Sequence, residues 1–402
     1  MHFINFTGQL YMKPITLTKS QAKSIIIHAA GLAKRGQFGK GKDAVQKTID
    51  HLGFVQVDSN YTVERAHHHM MYARVPNYKT EWLEELQQDG HIYEFWTRDS
   101  GFMPMNEFRF SIPIHDTYRA KWKDLPRPER NLMNQILDRI GREGPLRAKD
   151  FENDRVTKNK GWWDWRPSKV ALERLHLTGQ LLATRQRDFH KLYDLTDNIV
   201  PSDIDRTKPD MAELARHLIY RSLRVLGIAY ANEIAWSGRL VKPPVKEELK
   251  KMVDAGEVCQ VTVDGVKGPL YMLPNYQKKK VMPAGDVFIL SPFDIINVFR
   301  RRLKEFFDFD YQVECFVPEP KRKYGYFSLP ILAGDTFIAR MDSKADRKNR
   351  MLIIHNLHFE RVKISGAITQ QLSDTIEAFA RFNGCNQISL VKTNNKVFKK
   401  LL

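Results

Sequence analysis

The sequence predicts an α+β protein with three tandem winged helix-turn-helix units followed by a C-terminal β-barrel-like domain. Two features of the chain favour this class. One pattern of helix, glycine and two strands occurs three times before residue 280, and strand-like segments dominate from about residue 281 onward. With 402 residues and a hydrophobic content of 42%, the chain can bury several cores. We place the winged units at 1–115, 116–204 and 205–280, and the β domain at 281–402.

The repeated pattern begins with an amphipathic helix and passes through a glycine into two apolar strands. The glycines are Gly90, Gly179 and Gly256, and a predicted helix precedes each of them. Helix, glycine turn, strand, short loop and strand together describe the third helix and the β wing of a winged unit. Upstream helices over 129–140 and 211–226 complete the second and third units, whereas the first unit is less regular.

The part of the chain after residue 281 is predicted to form a compact, barrel-like β domain with basic turns. A helix over 369–382 follows its strands. The predicted strands cover 286–290, 311–317, 326–329, 336–340 and 351–354.

The candidate catalytic residues lie on a short segment after the first amphipathic helix, which ends at Gly53 as at a C-cap glycine. From there the pattern alternates, so that Val55 and Val57 point one way and Gln56 and Asp58 the other. An amide and a carboxylate on one face can hold a water molecule, since the amide orients it and the carboxylate accepts its proton. A half-buried strand with a polar face towards solvent explains the same spacing and remains an alternative.

The charge of the chain indicates the kind of partner. Lysine and arginine exceed aspartate and glutamate by 64 − 47 = 17, which favours a polyanion, with nucleic acid before an anionic membrane. The longest apolar runs are shorter than the ~18 residues of a membrane span, and the first residues do not resemble a signal peptide. The three cysteines are far apart, which supports neither disulfides nor a zinc site. We expect a cytoplasmic protein without a metal or another cofactor.

The second unit offers the best candidate for a recognition helix with a basic wing. Winged units dock such a helix and wing against a duplex, and the charges mostly hold phosphates. The alternative for each residue is an exposed, solvated face. Three tryptophans before the helix (Trp162, Trp163 and Trp165) either stack on a base or, as we favour, pack its first turn into the core. The candidate DNA contacts, two of them in the β domain, are Lys169, Arg174, Arg185, Arg187, His190, Arg340 and Lys344.

Two further motifs raise the question of metal chemistry. The histidines at 67–69 are consecutive, and on a helix their side chains diverge by ~100°, so we expect them to pack or to face phosphates rather than share an ion. Asp342 and Lys344 match the D-x-K half of a metal-dependent nuclease site. Asp294 is a candidate for the acidic partner that such a site needs.

Several short motifs occur in order along nearly the whole chain. They are Gln56-Val57-Asp58 with Glu64-Arg65-Ala66, Glu94-Phe95-Trp96 with Gly101-Phe102-Met103-Pro104, Gly161-Trp162-Trp163-Asp164-Trp165, Leu290-Ser291-Pro292-Phe293-Asp294, and Pro320-Lys321-Arg322-Lys323-Tyr324-Gly325 with Arg340-Met341-Asp342-Ser343-Lys344. Together they resemble the bacterial winged-helix DNA glycosylase family of the YcaQ/AlkZ type, which acts on bulky and crosslinking alkyl lesions. The QxD form of the catalytic pair resembles the branch with broader substrate tolerance, while Arg98 stands where a histidine is expected.

The resemblance implies tandem winged helices and a β-barrel-like domain in a C shape around double-stranded DNA. It further implies a monomeric, monofunctional DNA glycosylase that releases N7-alkylated guanine and unhooks interstrand crosslinks in base excision repair. In this hypothesis Asp58 is the base and electrostatic stabiliser, and Gln56 orients the water. The alternatives are a winged-helix transcriptional regulator without catalysis and a metal-dependent nuclease at Asp342 and Lys344.

Overall fold

The computed structural model describes residues 3–4, 10–11, 15–97, 99–151, 166–186, 188–238, 241–277, 285–396 and 398. Its helices and strands form the mixed α+β arrangement that the sequence predicts. Arg98, Arg187 and the tryptophans within 162–165 lie outside these residues. Within the described part of the chain, no helix is both long and apolar enough to cross a bilayer.

The first region contains the helix that precedes the QxD segment. Its elements are β1 (Phe3–Ile4), β2 (Leu10–Tyr11), β3 (Ile15–Leu17), α1 (Lys19–Ala29), α2 (Lys42–Leu52), β4 (Val55–Gln56), α3 (Ala66–Arg74), α4 (Glu81–Gln88), β5 (Ile92–Trp96) and β6 (Ser100–Pro104). α2 ends at Gly53, whose φ of 66° is left-handed and whose N–H donates to the carbonyl of Ile49. The helix buries the face that the sequence pattern selects, namely Ala44, Val45, Thr48, Ile49 and Leu52.

The second and third regions repeat a similar order of elements. After a 3-10 helix (Met105–Ser111), the second region comprises α5 (Ile112–Lys121), α6 (Arg127–Glu143), β7 (Leu146–Arg147), α7 (Pro167–Leu177), β8 (Leu181–Arg185), β9 (Lys191–Leu195) and α8 (Thr196–Ile199). The third comprises α9 (Met211–Leu226), β10 (Ile228–Ala229), α10 (Ala231–Ile234), α11 (Val245–Asp254), β11 (Cys259–Val263) and β12 (Val266–Met272).

The three repeat glycines take the same backbone conformation. Gly90, Gly179 and Gly256 follow α4, α7 and α11 with φ values of 72°, 72° and 74°, in the left-handed region that favours glycine. Each of these helices therefore leads through a glycine turn into an antiparallel pair of strands. We call each of these strand pairs a wing; that each belongs to a winged helix-turn-helix unit stays a prediction.

The sheets connect regions that the sequence pattern separates. One six-stranded sheet has the order β4-β6-β5-β8-β9-β7, so the wings of the first two units share it through the pair Glu94 and Ala183. A four-stranded sheet has the order β10-β12-β11-β3, in which β3 runs parallel to β11. Hydrogen bonds thus cross the boundaries that we predicted at residues 115 and 204.

The C-terminal region is a curled sheet that resembles half of a barrel. Its elements are β13 (Val287–Ile289), α12 (Ile295–Val298), α13 (Arg300–Phe307), β14 (Ser328–Ala333), β15 (Thr336–Asp346), β16 (Met351–Phe359), α14 (Gly366–Phe382) and β17 (Gln387–Leu390). The strand order is β13-β14-β15-β16-β17, and no pair between β13 and β17 occurs among the described residues. α14 buries Leu372, Ile376 and Phe379 against this sheet.

The strand predicted over 311–317 is wrong, because this segment is an irregular loop. The alternation that suggested a strand is real, since Tyr311 and Val313 are buried while Gln312 is exposed. Hydrogen bonds to side chains, instead of the backbone pairing of a β-strand, hold the segment in place. The carboxylate of Glu314 accepts hydrogen bonds from the backbone N–H groups of residues 323–325.

Candidate active site

The QxD segment (Gln56–Asp58) lies at the edge of the six-stranded sheet. β4 pairs with β6, and the N–H of Val57 continues the pairing by donating to the carbonyl of Ser100 at 2.8 Å. Val55 and Val57 are buried, whereas Gln56 and Asp58 are half-buried. The predicted alternation is therefore confirmed, and the amide and the carboxylate lie on the face away from the valine core.

A close approach of Phe54 to Gly101 fixes the start of this segment. A Cβ atom added at Gly101 would lie 2.3 Å from Cε2 of Phe54, well inside van der Waals contact. Gly101 is the register partner of Gln56, so the ring of Phe54 lies over the backbone beside that residue. Any larger residue at position 101 displaces Phe54 and with it the start of the QxD segment.

One oxygen of the Asp58 carboxylate is hydrogen-bonded, and the other has no partner among the described residues. Its Oδ1 accepts a hydrogen bond from the N–H of Asn60 at 2.7 Å, and among the described residues no bond is made to Oδ2. Burial raises the pKa of Asp58, the charge of Asp99 raises it further, and the bond from Asn60 opposes both. The amide of Gln56 likewise bonds to no other described side chain or backbone group. Both side chains thus have atoms available for a water molecule.

A buried ion pair joins the first two wings beside this segment. Glu94 of β5 is fully buried, and its carboxylate binds Arg185 of β8 through Nε at 2.6 Å and Nη2 at 2.8 Å. Ser100 Oγ donates to the same carboxylate at 2.5 Å. Burial alone would raise the pKa of Glu94, but Arg185, Lys191 and Ser100 outweigh it and hold the pKa at about 2. Arg185, a predicted DNA contact, therefore has its guanidinium engaged within the protein.

A basic groove of about 600 Å³, here called the wing groove, opens between the first two wings. Ser59, the neighbour of Asp58, lines it together with Trp96 and Ser100 from the first unit. The second unit contributes cationic side chains and a few others to the remaining wall. They are Arg147, Ala148, Lys149, Arg166, Lys169, Glu173, Arg185, Phe189, His190, Lys191 and Tyr193. The groove thus reaches Ser59, next to the QxD segment. Three of its cations, Arg147, Arg185 and Lys191, form ion pairs within the protein.

The predicted contacts of the second unit divide into two groups. Lys169 and His190 line the wing groove, and His190 is exposed. Arg174 instead forms an ion pair with Glu129 and lies over the ring of Trp122 at 5.8 Å. The contact predicted at position 187 falls outside the described residues.

The two predicted contacts of the β domain also differ. Lys344 is exposed on β15. Arg340 is only 3% exposed, since Nε donates to Glu360 at 2.7 Å and both terminal nitrogens donate to the carbonyl of Asp310. Its prediction as a DNA contact is wrong, because a phosphate cannot reach a guanidinium that is buried and already bonded.

The three histidines at 67–69 do not converge on one point, but two of them lie side by side. His68 Nδ1 lies 2.7 Å from the hydroxyl of Tyr78, and His69 Nε2 lies 2.9 Å from the carbonyl oxygen of Ile289. His67 is buried against Phe102, with ring centroids 5.6 Å apart. The rings of His67 and His68 lie in contact, with centroids 4.3 Å apart, so the predicted divergence is wrong for this pair, while His69 packs elsewhere.

The residues of the predicted nuclease site are engaged elsewhere. Asp294, the suggested acidic partner, accepts bonds at 2.7 and 2.8 Å from the guanidinium of Arg74, and both side chains are fully buried. Asp342 accepts the N–H of Phe327 at 2.8 Å. The described part of the chain contains no cluster of three histidine, cysteine or carboxylate side chains that could hold a metal ion.

Several residues of the wing groove were not predicted from the sequence. Lys191 lies directly opposite Arg185 in the β8–β9 pair, and Arg147 lies opposite Leu192 in the β7–β9 pair. The hairpin pattern of the second wing was visible in the sequence, and its register would have placed Lys191 beside Arg185. The position of Arg147 had no such signal, because β7 is two residues long and distant in sequence.

Comparison with known proteins defines the class. A family model described as DNA glycosylase AlkZ-like matches residues 49–382, which include the QxD segment and most of the β domain. A solved structure, the DNA glycosylase AlkZ of Streptomyces sahachiroi, has a similar fold with a TM-score of 0.63 at 14% identity. That match covers 94% of this chain and 100% of the other.

The fold and the family match together define a DNA glycosylase, an enzyme of DNA repair that acts on DNA. More particularly, the chain belongs to the AlkZ-like DNA glycosylase family.

Proposed function

We propose that this enzyme hydrolyses the N-glycosidic bond of N7-alkylated guanine in double-stranded DNA, including guanines joined in interstrand crosslinks, as a step of base excision repair. Gln56 and Asp58 are its catalytic residues, and it acts as a monofunctional monomer of the QxD branch. The observation that carries the proposal is the partly buried Asp58 carboxylate, one oxygen of which has no partner among the described residues, beside a groove lined with cations.

The chemistry requires little help for the leaving base. An N7-alkylated guanine is already cationic, so its C1′–N9 bond breaks with the electron pair returning to the ring and no proton donated to the base. The sugar passes through an oxocarbenium-like state that a nearby carboxylate stabilises. Water then adds to C1′ and gives its proton to Asp58, while the amide of Gln56 holds the water in position.

The electrostatics of Asp58 suit this role. Burial and the neighbouring charge of Asp99 raise the pKa of Asp58, which makes its carboxylate a better base than an ordinary aspartate. The bond from Asn60 fixes one oxygen, and no other residue that the structure describes bonds to Oδ2, which can meet the water. Raised basicity and fixed orientation are the two properties that a general base needs.

The wing groove supports the choice of a duplex lesion. Its basic residues, among them Lys169 and the exposed Lys149 and His190, suit contacts with a phosphate backbone. An open groove accepts a base that is tied to both strands, which cannot rotate into a closed pocket. Bulky and crosslinked guanines are therefore the substrates that this geometry favours.

The test measures base release in EDTA. The full chain is incubated with duplexes that carry one 7-methylguanine or one nitrogen-mustard crosslink, and abasic sites are detected by alkaline cleavage. We expect Asp58→Asn to lower the rate by about 10²- to 10⁴-fold, the usual range for a general base, and Gln56→Ala to have a smaller effect. Asp264→Asn, which changes an exposed carboxylate in the turn between β11 and β12, is the matched control.

Other outcomes point to other conclusions. Full activity of Asp58→Asn would show that Asp58 is not the general base. Release of other alkylated bases without any release of N7-alkylated guanine would refute the substrate assignment. Specific binding to one operator sequence without base release would favour the transcriptional regulator, and Mg²⁺-dependent cutting of undamaged DNA would favour the nuclease.

A further inference from the structure

Phe316 is the most exposed large apolar side chain of the described residues. Its relative exposure is 84%, and the next value is 61% at Val391. Single apolar residues on a surface are common, but a phenylalanine almost wholly in water gains nothing for the fold. Such a side chain is positioned to make a contact outside the protein.

The turn that presents Phe316 is fixed at both ends. The N–H of Val317 donates to the carbonyl of Glu314 at 2.9 Å, so that Cys315 and Phe316 form the tip. The buried carboxylate of Glu314 accepts three backbone N–H groups from residues 323–325. Arg322 Nε donates to the carbonyl of Val317 at 2.9 Å. The tip is thus held in place before any ligand binds.

The turn also lies beside the QxD segment. The Asp58 carboxylate is near enough to Cys315 to raise the pKa of its thiol, after the larger effect of burial. The carbonyl of Thr62, in the chain beyond Asp58, accepts the N–H of Ala345 on β15 at 2.8 Å, and the next residue, Val63, is buried in the same apolar cluster as Val313. Cys315 packs against that cluster, so the turn that carries Phe316 and the chain that leads on from Asp58 share one core.

The surroundings of Phe316 are basic. Lys321 and Lys323 are exposed in the same loop, and Arg322 is half-buried. Over residues 316–323 the sequence contains these three cations and a single acid, Glu319. The rings of Tyr324 and Tyr326 lie under Lys323 and Arg322, with the cations 4.9 and 5.0 Å from the ring centroids. A few rings among several cations do not resemble a protein interface, which has an apolar centre of many residues. It suits nucleic acid, where bases stack and phosphates pair with lysine.

We propose, on the basis of the catalytic site proposed at Asp58, that Phe316 is a wedge that stacks on a base step of the duplex next to the nucleotide held there. It unstacks the step and exposes the glycosidic bond of the lesion, while Lys321 and Lys323 hold the adjacent phosphates. Phe316 does not touch the reacting atoms and is a positioning residue. Every base has a face for stacking, so the contact does not depend on the sequence around the lesion.

The test uses a fluorescent base beside a stable lesion analogue. A duplex carries a tetrahydrofuran abasic site with 2-aminopurine as its neighbour, and the fluorescence of 2-aminopurine rises when the base unstacks. We expect the full chain to raise the signal, Phe316→Ala to abolish most of the rise, and Phe316→Trp to restore it. Val391→Ala, at the next most exposed apolar side chain, should behave like the wild type.

A second measurement follows base release from 7-methylguanine duplex and from the same strand left single. Loss of one base–aromatic stack predicts a decrease of about 5- to 100-fold for Phe316→Ala on the duplex and a smaller one on the single strand. The fluorescence measurement does not depend on which lesion is excised, so it separates this inference from the proposed substrate.

Three results would overturn the wedge. Phe316→Ala could match the wild type in both measurements. It could weaken duplex binding with no change in the 2-aminopurine signal, which would show that Phe316 contacts only the sugar-phosphate backbone of the DNA. It could leave all DNA measurements unchanged while abolishing self-association of the chain, which would make Phe316 a protein contact. Circular dichroism and thermal unfolding of Phe316→Ala should match the wild type, since the ring buries little surface.

Discussion

We expect Glu94→Gln to destabilise the fold by about 3 kcal/mol, because it leaves the guanidinium of Arg185 without its carboxylate. Glu94 is fully buried with a pKa of about 2, against 4.5 for an ordinary glutamate. The difference corresponds to roughly 2.5 pK units, or about 3 kcal/mol at 1.36 kcal/mol per unit. Removing one partner of a buried ion pair has a similar effect in general, about 3–5 kcal/mol.

The measurement is urea unfolding of four chains in a double-mutant cycle with Arg185→Met. If the two side chains act as a pair, the double mutant should be about 1–3 kcal/mol more stable than the sum of the single changes predicts. Glu143→Gln is the matched control, because it removes a carboxylate from an exposed pair with Arg139. We expect it to change stability by less than about 0.5 kcal/mol.

The ion pair should also be visible in the pH dependence of stability. The pKa of Glu94 is depressed in the folded state, so its contribution is present above the unfolded value of 4.5 and is lost as the pH falls towards 2. The wild type should therefore lose more stability than Glu94→Gln between about pH 5 and pH 2. Parallel curves for the two proteins, together with an additive cycle, would refute the assignment of Glu94 and Arg185 as the connection between the wings.

Three other changes probe the site. Asp99→Asn removes a charge that raises the pKa of Asp58, so the acidic limb of the rate profile should move to lower pH; a fixed limb would contradict this. Gly101→Ala should lower the rate at least about tenfold by displacing Phe54, and a further Phe54→Ala should restore part of it, whereas no recovery would indicate a different cause. Lys169→Ala should weaken duplex binding equally for damaged and undamaged DNA and reduce the salt slope by about 1, measured by titration at several salt concentrations.

Local patterns in the sequence predicted local structure well. The helix before Gly53, the left-handed glycine and the alternation from Val55 to Asp58 are set by neighbours in the chain, and all are present. The glycine turn into each wing is equally local and appears three times. The family motifs led to the correct class because they lie in order along the chain.

Features that depend on distant partners could not be predicted in this way. From the sequence, Arg340 and Arg174 were predicted to be cations available to DNA. In the fold they form ion pairs with Glu360 and Glu129. The loop over 311–317 has the alternation of a strand, but the carboxylate of Glu314 binds the backbone of a later turn instead of forming a ladder. The sequence does not distinguish an exposed arginine from an ion-paired one, because the partner is a residue that only the fold brings close.

The parallel pairing of β3 with β11 has a consequence for how the protein is made. The paired residues Thr16 and Thr262 are 246 positions apart, and α1 buries Ile25, Ile26 and Ile27 in a core that contains β11 and α13. In a nascent chain these isoleucines therefore lack their packing partners in β11 and α13 until more than half of the chain has been synthesised. Partial chains that end before β11 should bind chaperones or aggregate, and this N-terminal helix should be among the last elements to gain protection from hydrogen exchange during folding.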